Sequence, residues 1–185
     1  MKNLVILTSI CIYTLSCIQT PAISGGFYDK VLQERKVFKD YLKYKGNHQE
    51  LSLLDKQLIH TKKIITLSTF NGFTSFSTIY DCDNSKYYYL ESNKEGIYKH
   101  NQISKEEVLT NFLFVLEYIL DDKIEELKKI SEEAYDLESG MFIYVDILDV
   151  QSKTYKRYQF KEFEVYNGKP IMTKEEFYKS NGIYE

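Results

Sequence analysis

Between Ser104 and Leu137 apolar residues recur at steps of three and four: Leu109, Leu113, Leu116, Leu120, Ile124, Leu127, Ile130, Ala134 and Leu137. That period places them on one face of a helix. Ser104, with Glu107 three residues on, forms a capping box in which each side chain satisfies a backbone donor left open by the first turn. Ser139-Gly140 supplies the stop, since glycine accepts the left-handed conformation that ends a helix. A second apolar row, Val108, Phe112, Val115 and Ile119, lies beside the first and stops at Asp121. The pattern predicts one long central helix, wrapped by the protein over its first half and polar and exposed over its second. At about 1.5 Å per residue it would run roughly 50 Å, against a diameter of roughly 40 Å for a domain of this size. Asp121-Asp122 is where a change of direction is expected, yet the Leu116, Leu120, Ile124, Leu127 stripe runs straight through it, so a single helix is the reading.

Upstream, Tyr28, Val31, Leu32, Phe38, Tyr41 and Leu42 predict an amphipathic helix over 28–45, closed by Gly46-Asn47. Asn47 with Glu50 forms a further capping box, leading a short second helix to about Ile59. From Lys63 the period shortens. Ile64–Phe70, Thr74–Tyr80 and Lys86–Glu91 are rich in Ile, Thr, Phe and Tyr, with Asn71-Gly72 and Asp81–Ser85 between them, which predicts three antiparallel strands. Asn-Gly is the signature of a tight hairpin because both residues tolerate positive φ. Gly96–His100 adds a short fourth strand. Met141–Val150 is apolar on both faces and should be central, and 153–166 pairs with it. Tyr158 and Phe160 are even-numbered while Phe163 and Val165 are odd-numbered, so a bend is expected near Lys161-Glu162. Thr173 and Glu176 cap a last short helix ending at Asn181-Gly182. The fold class is therefore α+β: an antiparallel sheet of five or six strands packed on one long central helix, with N-terminal helices and a short C-terminal helix.

The first 24 residues carry one charge, Lys2, then an apolar run from Leu4 to Leu15 that is too short to span a membrane. This pattern predicts an export signal, leaving 25–185 as a single domain. Two processing sites compete. Ala22-Ile23-Ser24 suits cleavage after Ser24, whereas Leu15-Ser16-Cys17 resembles a bacterial lipoprotein box, departing from it at Thr14, in which Cys17 would be acylated. The 185 residues carry a net charge of -3, and subtracting the single positive charge of Lys2 leaves -4. Such a mildly acidic surface offers no field for nucleic acid or anionic lipid, so membrane attachment is expected only through Cys17. Cys11 and Cys17 lie in the signal and Cys82 is the remaining cysteine, so no internal disulfide is expected in the exported domain. Asp81 and Asp83 beside Cys82 should weaken it as a thiolate.

The candidate chemistry is sparse. Asp81-Cys-Asp-Asn-Ser85 begins like a calcium loop, but Lys86 stands where a glycine is needed and Ser92 where a closing acid is needed, so an acidic hairpin turn is expected. His48, His60 and His100 share no helical face, and no metal, cofactor or nucleophile motif is present. Glu117 is the one charge in the apolar half of the long helix; a structural role is the expectation, with general acid or base work as the alternative. Seventeen tyrosines and eleven phenylalanines, with no tryptophan, dominate the composition. Tyr87-Tyr88-Tyr89 must present rings to both faces of a sheet, and tyrosine is a common interface anchor. Glu125, Glu126, Glu132 and Glu133 interleave with Lys128-Lys129 on the outer helix face. These residues lead to an expected role as an exported, non-catalytic binding protein of the bacterial envelope, without cofactor. It would meet a protein partner, as an inhibitor or immunity protein does, through the three tyrosines or the four glutamates. A hydrolase using carboxylates assembled by the fold and a carrier of small ligands are the alternatives.

Overall fold

The structure, a computed structural model, describes residues 25–135 and 141–183. In chain order the elements are α1 (Phe27–Gln33), α2 (Lys39–Leu42), α3 (Lys45–Leu54), β1 (Lys63–Phe70), β2 (Ser75–Asp81), β3 (Lys86–Asn93) and β4 (Gly96–Ile103). A 3-10 turn (Lys105–Glu107) follows, then α4 (Thr110–Leu120), α5 (Ile124–Glu133), β5 (Phe142–Asp149), β6 (Thr154–Lys161), β7 (Val165–Tyr166), β8 (Lys169–Pro170) and α6 (Lys174–Ser180). The class is α+β, with six antiparallel strands in the order β4-β3-β2-β1-β5-β6. Four of the five strand pairings join sequence neighbours, and the fifth brings β1 to β5 along a single seam from Lys63↔Asp149 to Ser68↔Tyr144.

The sheet is the middle of three layers, because alternate side chains enter different cores. On one face Ile65, Leu67, Tyr80, Ile143, Val145 and Phe160 pack against α4 and against Leu127 of α5. On the other, Ile64, Ile79, Tyr88, Leu90 and Leu148 lie beneath α1, α2 and α3, where Phe27, Val31, Phe38, Tyr41, Leu51 and Leu54 fill the space. β5 feeds both cores, as its two apolar faces require. β6 ends at Lys161, and the bend over 162–164 returns Phe163 to the core that holds Phe160, so both rings are buried.

The single long helix is corrected to two. Asp122 takes φ +58°, its N–H donates to the Ile119 carbonyl at 3.2 Å, and the Lys123 N–H reaches back to the Tyr118 carbonyl at 2.9 Å. This paired closure ends α4 with an aspartate where glycine usually stands, and α5 starts afresh with Glu125 and Glu126 in the turn where the helix dipole favours acids. The shorter apolar row is buried throughout, whereas the longer stripe is buried only in part, at Leu116 and Leu127. Val108, Phe112, Val115 and Ile119 are 7% exposed or less, whereas Leu109 and Leu120 of the longer stripe are 43% and 48% exposed. At about 1.5–3 kcal/mol for each fully buried large side chain, the row that docks on the sheet decides the helix's rotation. The expected stop at Leu137–Gly140 lies outside the described residues.

The expected helix over 28–45 is also interrupted, at 34–38, and Gly46-Asn47 sits inside α3 instead of closing a helix. Asp55 explains part of this arrangement: its Oδ1 accepts the Tyr28 N–H at 2.8 Å and so caps α1 from the far end of α3. A side chain on Gly26 would stand 2.1 Å from that carboxyl, so the close approach requires glycine. The connection from β1 to β2 is longer than a two-residue hairpin. Gly72 supplies φ +90°, while Asn71 works through its side chain, whose Oδ1 accepts the N–H groups of Phe73 and Thr74. Of the three expected capping boxes, Ser104 with Glu107 and Thr173 with Glu176 are formed, whereas Asn47 with Glu50 is not, because α3 already starts at Lys45 and Glu50 turns into the core.

Candidate functional site

The sites expected from sequence are dispersed. Tyr88 is 2% exposed and belongs to the core beneath the N-terminal helices, so it offers no surface. Tyr87 and Tyr89 are half-buried on the other face. Tyr87 lies against Tyr80 at 4.9 Å between ring centroids, and Tyr89 carries Lys99 over its ring at 5.2 Å and donates to Glu91 at 3.3 Å. Burial, helped by Glu91, raises the Tyr89 phenol to about 12. Glu125, Glu126, Glu132 and Glu133 are all exposed on α5, with Glu125 paired to Lys128 at 2.6 Å and Glu133 to Lys129 at 3.9 Å. Glu117 is also exposed and paired, to Lys105 at 3.0 Å, so its environment provides none of the desolvation that acid–base work would need. Asp81 is buried and accepts from Thr61, from the N–H groups of Asp83 and Asn84 and from the Asn84 amide, which together hold the hairpin turn. Burial, more than the neighbouring aspartates, raises the Cys82 thiol to about 11. Cys17 lies outside the described residues. Among the described residues no three potential ligands gather for a metal, and no helix is long and apolar enough to cross a membrane.

The structure instead assembles polar groups on the sheet face under α3. Two side chains set the rotation of that helix. Asn47 Nδ2 donates to the Tyr41 carbonyl at 2.9 Å, and His48 Nε2 donates to the Leu42 carbonyl at 2.6 Å, satisfying acceptors that α2 leaves open at its end. With Nε2 donating, His48 Nδ1 accepts the Tyr28 hydroxyl at 2.8 Å. Leu51 and Leu54 then enter the core, and Glu50 is carried in with them to 6% exposure. Ser77 of β2 donates to Glu50 Oε1 at 2.7 Å, the one hydrogen bond this carboxylate makes among the described residues. No cationic side chain among them pairs with it. Burial therefore raises the Glu50 carboxyl to about 7, the Ser77 hydrogen bond pulls the other way, and Asp146 adds to the rise.

Asp146 of β5 stands opposite Arg157 of β6 in the ladder. Arg157 Nε and Nη2 donate to its two oxygens at 2.7 and 2.8 Å, and the Tyr155 hydroxyl donates to Oδ1 at 2.6 Å. The Arg157 guanidinium stacks over the ring of Tyr44, the residue before α3, at 4.8 Å. The hydrogen bond to Asp146 holds Arg157 firmly charged, while burial and then Asp146 push the Tyr155 phenol far above its ordinary value. Tyr41, buried beneath this group, is likewise pushed up by burial and by the Glu50 and Asp146 charges, and neither its hydroxyl nor that of Thr66 makes a well-formed hydrogen bond.

Between α3 and the open end of the sheet these residues border a cleft of about 420 Å³. Glu50 and Ser77 line it, Ser68, Ser75 and Ser92 add hydroxyls, and Tyr44, Phe70, Tyr144 and Arg157 edge it. Thr69, between Ser68 and Phe70 on β1, turns its side chain to the opposite face of the sheet. Sequence reasoning missed this site because it took Glu50 for the capping partner of Asn47; the overlooked signal was a glutamate beside Leu51 and Leu54 on the inward face of a short helix.

Compared with protein-family models, with curated proteins and with solved structures, the chain matches none.

Proposed function

We propose that this chain is an exported, non-catalytic binding protein of the bacterial envelope that engages its partner or ligand at the cleft under α3. The observation that supports this reading is a buried carboxylate without a counterion among the described residues, opening on a cleft lined by serine hydroxyls. Leaving such a carboxylate desolvated and unpaired works against folding, and an occupant that pairs with it recovers the loss. The aromatic rim of Tyr44, Phe70 and Tyr144 adds amphipathic contact surface. The interaction surface expected at Tyr87, Tyr89 and the α5 glutamates is weaker in comparison, because Tyr87 packs on Tyr80, Tyr89 is engaged with Lys99 and Glu91, and Glu125 and Glu133 are paired with lysines. Export rests on the sequence of the first 24 residues alone. The mass of the mature N-terminus tests it, separating cleavage after Ser24 from acylation at Cys17.

The binding role is tested by titrating the isotope-labelled protein with a chemically diverse fragment library and following backbone amide shifts. The expected result is a set of saturable binders whose shifts centre on Ser68, Ser77 and Tyr144. Binders scattered over the surface, or none, would refute the cleft. A second reading, as a hydrolase, is favoured by one observation: a carboxyl raised to about 7, bonded to the Ser77 hydroxyl and lining the cleft, can exchange protons near neutral pH. Turnover of any fragment, abolished by Glu50→Gln, would establish that reading in place of binding.

A further inference from the structure

We infer that the cleft under α3 is a receptor for a primary ammonium group, with Glu50 as its counterion. This rests on the proposed binding role of the cleft and specifies the chemistry of the occupant. The charge balance of the site gives the sign. Arg157 is the cation bordering the cleft, and its Nε and Nη2 are both committed to Asp146. Glu50 is therefore an anion with no cation to match it, and an anionic occupant would meet two carboxylates.

The geometry selects ammonium over guanidinium. A guanidinium binds a carboxylate best through two parallel hydrogen bonds to both oxygens. Glu50 Oε1 already accepts from Ser77, which leaves Oε2 as the single strong acceptor. A compact ammonium needs only that oxygen, plus two further acceptors for its remaining N–H groups. Ser68, directly opposite Ser77 in the ladder, and Ser75, two residues before Ser77 on the same face of β2, provide them. Phe70 and Tyr144 flank the opening, where aromatic faces hold both an alkyl stem and its cationic head. The cleft volume of about 420 Å³ is ample for such a group. The same ammonium can come from a free alkylamine or from a lysine side chain presented by a partner protein.

Binding in this form is linked to a proton. An ammonium pairs with ionised Glu50, so the proton held by the raised carboxyl must leave, and apparent affinity rises with pH until Glu50 is fully ionised. With the carboxyl at about 7, affinity increases about tenfold between pH 6 and pH 8 and then levels. Tyr41 of α2 and Tyr155 of β6 are pushed above their ordinary range, Arg157 stays charged, Asp146 keeps its two bonds to Arg157, and Ser77 of β2 and Thr66 of β1 are neutral. His48, two residues away on α3, is turned from the cleft onto Leu42 and Tyr28.

The test is an amide-shift titration of the full chain with cadaverine, with a blocked tripeptide Gly-Lys-Gly, and with its norleucine and arginine counterparts, at several pH values. The expected result is saturable shifts around Ser68 and Ser77 for at least one primary amine and none for norleucine. Affinity should rise about tenfold from pH 6 to pH 8, and both the binding and its pH slope should disappear in Glu50→Gln. Tighter binding of the lysine peptide than of cadaverine identifies a protein partner as the source, and the reverse order identifies a small amine. Silence from both amines at millimolar concentration overturns the assignment. So does arginine binding equal to lysine binding, or a flat pH profile in the unmodified protein. If other fragments still occupy the cleft while both amines are silent, the ammonium inference fails and the binding role stands; if nothing enters the cleft, both fail.

Discussion

Arg157→Ala removes the cation from the Asp146 pair and leaves a carboxylate that is 3% exposed with the Tyr155 hydroxyl as its remaining partner. Deleting one member of a buried ion pair costs about 3–5 kcal/mol, because the survivor stays desolvated without its counterion. The Arg157 side chain is itself 29% exposed, so water can enter the vacated space and the lower end, about 3 kcal/mol, applies. A domain of ordinary stability holds about 5–15 kcal/mol in total, so the variant should fold but with a much reduced margin. Urea unfolding followed by circular dichroism reads this directly: with a slope of about 2 kcal/mol per molar urea, the midpoint should fall by about 1.5 M. Lys128→Ala is the control. It breaks the exposed pair with Glu125, worth about 0–1 kcal/mol. Replacing both partners with apolar residues of similar size, Asp146→Leu with Arg157→Met, should recover most of the loss, since no charge is then left stranded. An Arg157→Ala midpoint indistinguishable from that of Lys128→Ala would refute the view that this pair is buried enough to matter.

Three further outcomes follow from named residues. Burial raises the Glu50 carboxyl from 4.5 to about 7, so the folded state holds that proton more tightly than the unfolded chain. The resulting stabilisation is complete below pH 4.5 and is lost as pH rises to about 7, a change on the order of 3 kcal/mol. Urea midpoints measured from pH 5 to pH 8 should therefore decline in the parent protein and flatten in Glu50→Gln, which becomes the more stable of the two at pH 8; parallel profiles would sink the argument. Leu116→Ala should cost about 2–5 kcal/mol and Leu120→Ala under about 0.5, since their exposures are 1% and 48%; equal losses would mean that the end of α4 is covered as fully as its middle. Asp122→Gly should raise the melting temperature by relieving the left-handed conformation at φ +58°, a gain of about 0.5–1 kcal/mol, and a lower melting temperature would show that the aspartate side chain itself holds the break.

Local grammar was legible wherever short-range chemistry decides the outcome. The strand runs rich in Ile, Thr and Tyr, the bend after Lys161 and the capping boxes at Ser104 and Thr173 depend on neighbours within a few residues. The break between α4 and α5 was not legible in the same way, because Asp122 adopts a conformation for which glycine is the usual signal, and the apolar stripe continues across it. Which of two apolar rows faces inward depends on the sheet that meets the helix, and the period alone cannot rank them. Glu50 and Glu117 show the same limit from opposite sides. Glu117 sits among apolar neighbours in sequence yet lies on the exposed strip, whereas Glu50 has a local role available as a cap and is turned inward by bonds from Asn47 and His48 to the preceding helix. The cleft draws on α3, β1, β2, β3, β5 and β6, and no sequence window spans them.

The seam between β1 and β5 divides the sheet into two parts of unequal kinetic difficulty. The four-strand meander from β1 to β4 and the β5–β6 hairpin each close over short loops and can zip in microseconds. Joining them requires Lys63 to find Asp149 across nearly half of the chain, the step with the greatest loop-closure entropy. Docking along the seam should therefore limit the refolding rate. Trimming Val145 at the seam should slow refolding more than trimming Ile79 within the meander; equal slowing would show that the two parts assemble together. Until the seam closes, the β1 edge carries unpaired backbone groups, and it is there that a crowded, newly made population of this chain would be most prone to pair with itself.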